Sequence, residues 1–237
     1  MDNAIYAALT RQTGLAREMQ VVANNIANIS TTGFRREGVI FAEHVRRLDA
    51  DPSLSMARAS ARHVDLTEGA PEPTGGAFDL AIRGPGFFLV LTPAGERLTR
   101  AGHFTPDAEG TLVTPEGHAL LDAGGAPVIV PPAAGPVSIG ADGTLSADGQ
   151  PLAKVGVWQP ADATTLRHAA GTLFDAEGFE PVEEPGAILQ GHLEGSNVNP
   201  VAELARMIAV SRAYEAGQAL LDREDQRIRT VIEALGR

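Results

Sequence analysis

The sequence predicts an α+β protein whose N- and C-terminal α-helices pack as a coiled-coil-like base, with a central all-β domain between them. Three observations carry that prediction. Apolar residues recur every three or four positions at each end of the chain. Short apolar or alternating runs fill the middle, and Asp- and Gly-containing turn signals separate those runs.

At the N-terminus, Ile5, Ala8, Leu15, Met19, Val22, Ile26 and Ile29 fall on heptad a and d positions, with Gln12 as the polar exception. Thr31, Thr32 and Gly33 then end the helix, Gly33 being suited to a left-handed conformation, and Phe34 anchors the departing chain. At the C-terminus, Met207, Val210, Tyr214, Leu221, Ile228, Val231 and Leu235 follow the same spacing, interrupted at Gly217 and Glu224. Asn199 suits the N-cap and Pro200 the first helical position, while Glu203 places an acid where the helix dipole favours one. A single amphipathic helix is only marginally stable in water, so both seams need partners and self-association is expected.

Between the helices, Asp79–Arg83, Gly86–Leu91, Thr111–Thr114, Pro127–Val130 and Leu152–Gln159 have strand character. The strings DAEG, PEG, ADG, ADG and DAEG mark hairpin turns, and none follows a calcium-loop pattern. The expected organisation is an N-terminal helical part at 1–34, a connector with room for a short hairpin at 35–71, the β-domain at 72–196 and a C-terminal helical part at 197–237.

Charge is uneven along the chain. Residues 72–198 hold five basic against sixteen acidic groups, which equals the whole net charge of −11. An acidic middle argues against a nucleic-acid partner, because phosphate neutralisation needs a basic face. No run reaches the roughly 18 apolar residues of a membrane span, and the opening lacks the features of a Sec signal peptide. With no cysteine, disulfide and thiolate chemistry are excluded.

A search for catalytic chemistry finds no concentrated site. His44, His63, His103, His118, His168 and His192 are scattered without metal-ligand spacing. The GPG at Gly84–Gly86 lacks the third glycine and the following helix of a dinucleotide fingerprint, so a tight turn is expected there. Glu183 and Glu184 lie between prolines in a loop. The expectation is a non-enzyme with no cofactor, no metal and no small-molecule substrate.

Three strings occurring in order identify a resemblance. MQVVANNIANISTTGFRRE (Met19–Glu37), FDLAIRGPGFFLV with LTRAGHFTPDAEGTLVTPEGHALL (Phe78–Val90 and Leu98–Leu121), and QGHLEGSNVNPVAELARMIAVSRAYEAGQALL (Gln190–Leu221) resemble the signatures of the bacterial flagellar rod and hook group of axial proteins. The opening MDNAIY and the modest connector favour its proximal-rod branch. The resemblance implies a structural subunit that leaves the cell through the flagellar type III export apparatus without a cleaved Sec signal. It further implies polymerisation in the periplasm with copies of itself and with other rod proteins, as a torque-transmitting shaft, without membrane insertion. The alternatives are a distal-rod or hook-type subunit and, from another class, a β-rich periplasmic or cytoplasmic enzyme whose helices pair within one molecule.

In that setting the expected assembly interface comprises Ile5, Leu15, Met19, Val22, Asn24, Asn25, Ile26, Asn28, Ile29, Met207, Val210, Tyr214, Leu221, Ile228 and Val231. The asparagines answer a puzzle of composition. Asn weakens an isolated helix by competing for its backbone groups, yet across a helix contact it can donate and accept and so define register.

Overall fold

The computed structural model describes residues 2–46, 54–182 and 186–235, and within these the side chains of residues 2–7, 42–46 and 54–60 lie outside the description. The chain divides into two units. Unit 1 comprises Met1–Ala27, Glu37–His63 and Asn199–Arg237, and unit 2 comprises Asn28–Arg36 and Val64–Val198.

Unit 1 contains the two long helices, α1 (Asp2–Ala27) and α2 (Pro200–Leu235), and the strands β1 (Glu37–Arg46) and β2 (Leu54–Val64), which pair as a two-stranded sheet. The strands occupy the stretch read from sequence as a connector. The start of α2 is set by Asn199, whose side-chain oxygen accepts from the backbone N–H groups of Val201 and Ala202, each at 3.1 Å. Pro200 has no N–H to satisfy and therefore suits the first helical position.

The helices run antiparallel within unit 1, because Gln12 meets Tyr214 whereas Asn25 meets Glu203. The expected coiled-coil-like base is corrected by this contact: coiled-coil packing is not found among the described residues. The buried positions of α1 include Gln12, Glu18 and Asn25 beside Leu15, Val21 and Val22, and α2 buries Glu203 and Val210. Apolar heptad positions at the end of α2 stay exposed, Ile228 at 37%, Val231 at 49% and Leu235 at 82%. There are two physical reasons. Buried polar side chains make directed hydrogen bonds where a coiled coil would insert apolar knobs. The helices are also unequal, 26 residues against 36, or about 39 Å against about 54 Å. Helices at both ends with a β-rich region between them remain.

Unit 2 is built from antiparallel strands. The largest sheet has seven, in the order Arg167–His168, Leu173–Asp175, Gly95–Thr99, Phe88–Thr92, Ala119–Leu120, Leu112–Val113 and Thr105–Pro106. A three-stranded sheet joins Val137–Ile139, Thr144–Ala147 and Gln150–Lys154. Its last two strands are linked by Asp148 (φ 49°) and Gly149 (φ 79°), a two-residue turn with both residues left-handed that brings Ala147 opposite Gln150. The stretch Pro127–Val130, expected as a strand, makes only isolated bridges, since Pro127 and Pro131 have no N–H to continue a ladder. Its alternation persists nonetheless, with Val128 and Val130 buried and Ile129 52% exposed.

Two apolar clusters fill unit 2. One gathers Leu80, Phe88, Val90, Phe104, Leu112, Leu120 and Leu145, and the other Phe87, Leu89, Leu98, Leu121, Leu166 and Phe174. Alternate residues of the strand Phe88–Thr92 therefore supply opposite faces of the sheet, as a period of two requires.

Beside this core lies a buried ion cluster. Glu194 Oε1 is 2.8 Å from an Arg35 guanidinium nitrogen and Oε2 is 2.8 Å from Arg100, with all three side chains at most 2% exposed. The backbone N–H of Gly69 also donates to Glu194 Oε1, at 2.8 Å. Arg100 donates to the carbonyls of Ile82 (3.0 Å) and Gly84 (2.7 Å), and its guanidinium lies 5.3 Å from the centre of the Phe87 ring. Burial pushes the Arg35 guanidinium below its ordinary value, an effect that Glu194 opposes. One carboxylate thus compensates two buried cations, and Gly33 N–H donates to the same residue's carbonyl at 2.7 Å.

Two outcomes follow from this packing. Leu98→Ala should lower the unfolding free energy of unit 2 by about 2–5 kcal/mol; the check is denaturant unfolding followed by fluorescence of the single tryptophan, Trp158, which packs on the same cluster. Glu194→Gln keeps the shape but removes the carboxylate that both buried guanidiniums pair with, and should cost about 3–5 kcal/mol in the same measurement. An unchanged midpoint would contradict either expectation.

Candidate assembly site

The fifteen residues expected at an assembly interface fall into distinct environments. Leu15, Val22, Asn25 and Val210 are buried within the chain. Met19, Ile26, Asn28, Ile29, Met207, Tyr214 and Leu221 are half-buried, whereas Asn24, Ile228 and Val231 are exposed. The side chain of Ile5 lies outside the described residues. On α1 the covered stripe passes through Gln12, Leu15, Glu18, Val21, Val22 and Asn25, so the apolar line chosen from hydropathy is covered at Leu15 and Val22 and keeps surface at Met19 and Ile26.

Asn25 is fully buried, and its amide behaves like a peptide group beside β1. Its Oδ1 accepts from Glu37 N–H at 3.0 Å, and its Nδ2 donates to the Glu37 carbonyl at 2.9 Å and to Glu203 Oε2 at 3.2 Å. One side chain therefore joins α1, β1 and α2. Farther along the helix pair, Arg206 Nε donates to Glu18 Oε1 at 2.5 Å, and Gln12 Nε2 donates to the Tyr214 carbonyl at 2.9 Å. Gly217 is close to the same glutamine, since an added Cβ would come within 2.8 Å of Gln12 Nε2. Glutamine in a hydrophobic seam here faces a glycine and a carbonyl.

Glu18, Glu203 and Arg206, together with Arg35, Arg100 and Glu194, carry much of the polar organisation and were missed by hydropathy. A period calculation assigns such residues to solvent, and no local signal marks the partner that makes their burial tolerable.

The groups considered for chemistry are occupied structurally. His103 Nδ1 lies 2.6 Å from Asp79 Oδ1, and Thr74 donates to Asp79 Oδ2 at 2.5 Å. Burial raises the Asp79 carboxyl, but hydrogen bonds from Thr74 and His103 and the attraction of His103 outweigh it, leaving that carboxyl below its ordinary value. His168 stacks on Phe34, and its Nε2 donates to the Arg35 carbonyl at 2.8 Å. The turn aspartates Asp107 and Asp122 each use one oxygen to accept two backbone N–H groups. Among the described residues no group of three His, Cys, Asp or Glu could hold a metal ion. No described helix is long and apolar enough to cross a membrane. Glu183, Glu184 and the His44 side chain lie outside the described residues. A cleft of about 460 Å³ in unit 2 is lined largely by Phe78, Pro106, Val130, Pro131, Pro132 and Val137, with Asp107 as its acid. Its lining presents apolar surface and no concentration of titratable groups.

Three family models match in order along the chain. "Flagella basal body rod protein" covers residues 5–35, "Flagellar hook protein FlgE/F/G D1 domain" covers 81–147, and "Flagellar basal body rod FlgEFG protein C-terminal" covers 189–234. The protein named flagellar basal-body rod protein FlgF in Caulobacter vibrioides is 38% identical over 244 residues, spanning 100% of this chain and 99% of its own. FlgF of Mesorhizobium japonicum is 37% identical with the same coverage. The flagellar basal-body rod protein FlgG of Bacillus subtilis is 28% identical over 98% of both chains. With a full-length match of this kind and all three family segments in sequence order, the chain belongs to the flagellar basal-body rod protein FlgF family, a family of structural rod subunits.

Proposed function

We propose that this chain is a subunit of the proximal rod, exported through the flagellar type III apparatus. It polymerises in the periplasm with further copies and with other rod proteins into a shaft that transmits torque. The observation that carries this reading is the apolar surface left on α2. Val201, Leu204, Ile208, Ile228, Val231, Ile232 and Leu235 are 37–82% exposed on a chain of the rod family. Burying such residues contributes roughly 25 cal/mol per Å² of apolar surface, so repeated subunit contacts can stiffen a polymer whose individual contacts are weak. The subunit acts mechanically and needs no cofactor.

Within the expected interface, Met19, Asn24, Ile26, Asn28, Ile29, Met207, Tyr214, Leu221, Ile228 and Val231 retain surface for contacts between subunits. Leu15, Val22, Asn25 and Val210 act instead by holding the helices and β1 of one subunit together. In this reading residues 1–34 and 197–237 supply the axial part, 35–71 the connector and 72–196 the β-rich part, whereas the two compact units divide the chain at 27/28, 36/37, 63/64 and 198/199. A distal-rod role is the second reading, favoured by the FlgG match and disfavoured by its lower identity.

The test is deletion of the gene in its source bacterium, complemented with the full-length chain or with residues 35–237, scoring swimming and imaging isolated basal bodies. Only the full-length chain should restore rods. Intact flagella after deletion, without a redundant copy, would refute the rod assignment. Asn25→Leu should leave unit 2 folded while removing the Asn25 hydrogen bonds to the Glu37 peptide group and to Glu203, at about 1–3 kcal/mol for each group left unsatisfied. Amide exchange should consequently rise in α1 and β1, and incorporation into rods should fall; normal protection and motility would contradict that role.

A further inference from the structure

The chain crosses between its two units at 27/28, 36/37, 63/64 and 198/199, and beside each of the last three crossings unit 2 holds a short segment of irregular backbone. All three segments converge on one half-buried side chain, Asn197. Its Oδ1 accepts from Arg36 N–H at 2.6 Å, and its Nδ2 donates to the carbonyls of Asp65 at 3.0 Å and Thr67 at 2.8 Å. The backbone reinforces the convergence. Asp65 N–H donates to the Arg36 carbonyl at 2.8 Å, and Asn197 N–H donates to the Phe34 carbonyl at 3.4 Å.

We infer that Asn197 is the centre of a clasp that ties three of the four crossings of unit 2, those at 36/37, 63/64 and 198/199, to one another, and that this clasp stands on unit 2 alone, so it persists when α1 and α2 are unfolded. The supporting contacts lie within 28–36 and 64–198. Arg35 is locked to Glu194 and donates to the Thr67 carbonyl, the same oxygen that receives Asn197 Nδ2. Phe34 is 1% exposed and stacks on His168 at 5.0 Å between ring centres. Gly33 is left-handed at φ 70°, and a Cβ there would come within 2.2 Å of Ala101 N, so this backbone lies directly against the strand end that carries Arg100. Asparagine suits the centre because the clasp needs one acceptor and two donors from a single planar group. Aspartate offers the acceptor alone, and alanine offers neither.

A chain with this device keeps the ends of its long separating segment together regardless of the state of its helices. Residues 28–198 then impose no loop-closure cost when α1 and α2 find partners, because that cost is met on folding of unit 2. The inference concerns the fold and holds whether the subunit belongs to the proximal or the distal rod.

The test is residue-resolved amide exchange by NMR on the full-length chain in mild denaturant. The amides of Gly33, Arg36 and Asp65 should exchange with those of Leu112 and Leu121, which report the β core, and more slowly than α1 between Leu15 and Ala27. Exchange in step with α1 would overturn the inference. In Asn197→Ala, Arg36 and Asp65 should exchange about tenfold faster with Leu112 and Leu121 unaltered. In Asn197→Asp, Arg36 should remain slow while Asp65 quickens, because the acceptor survives and the two donors are lost. No change in the alanine variant, or loss of core protection in the aspartate variant, would likewise overturn it. If the alanine variant does not fold, the aspartate pattern decides.

Discussion

A carboxylate removed from water is tolerable only where donors converge on it, and Glu194 sets that requirement for unit 2. Its two oxygens are met by Arg35, Arg100 and the Gly69 N–H, which come from three segments widely separated in sequence. Meeting it forces the chain after α1, the end of the strand Gly95–Thr99 and the loop before Pro71–Pro73 to one place. The strain of that approach is relieved locally by Gly33, where a side chain would meet backbone. Because two cations share one anion, the arrangement is sensitive to its acid far more than to either base. The cluster gives the β-rich unit a defined arrangement rather than a large gain in stability.

Unit 1 relies on polar direction in a different way. Gln12–Tyr214, Glu18–Arg206 and Asn25–Glu203 are spaced along the helix contact, and sliding α1 by one residue would break all three together. Apolar side chains alone tolerate such slippage, because the hydrophobic effect has no preferred direction. The polar residues therefore define register within one subunit, and apolar surface remains on α2 for other contacts. That division of labour suits a polymerising chain: the intramolecular contact is specific, while the exposed surface can be buried repeatedly along an assembly.

The asparagine-rich end of α1 shows how far sequence reasoning reaches. Its helix-weakening composition and its need for partners are legible from residue type, and Asn25 does find both donors and acceptors. The partners lie in β1 and in the first turn of α2, within the same chain. Hydropathy found Leu15 and Val22 in the covered stripe and passed over Glu18, which reads as solvent-facing until Arg206 is known to lie opposite. The proline-flanked run 127–130 kept its alternation and lost its ladder, a consequence visible in Pro127 and Pro131 once a sheet is demanded of them.

By itself the sequence determined the two terminal helices, the antiparallel β-rich middle with its Asp- and Gly-based turns, and membership of the rod family. Those features are encoded by short-range periodicity, backbone preference and contiguous motifs. The tertiary structure alone decided which polar residues are buried, that the helix contact is polar-studded rather than a heptad seam, and that Asn197 and Glu194 draw distant segments together. Burial of a charge or an amide depends on a partner supplied from elsewhere in the chain, and no local pattern around Glu194 or Asn25 records where that partner stands.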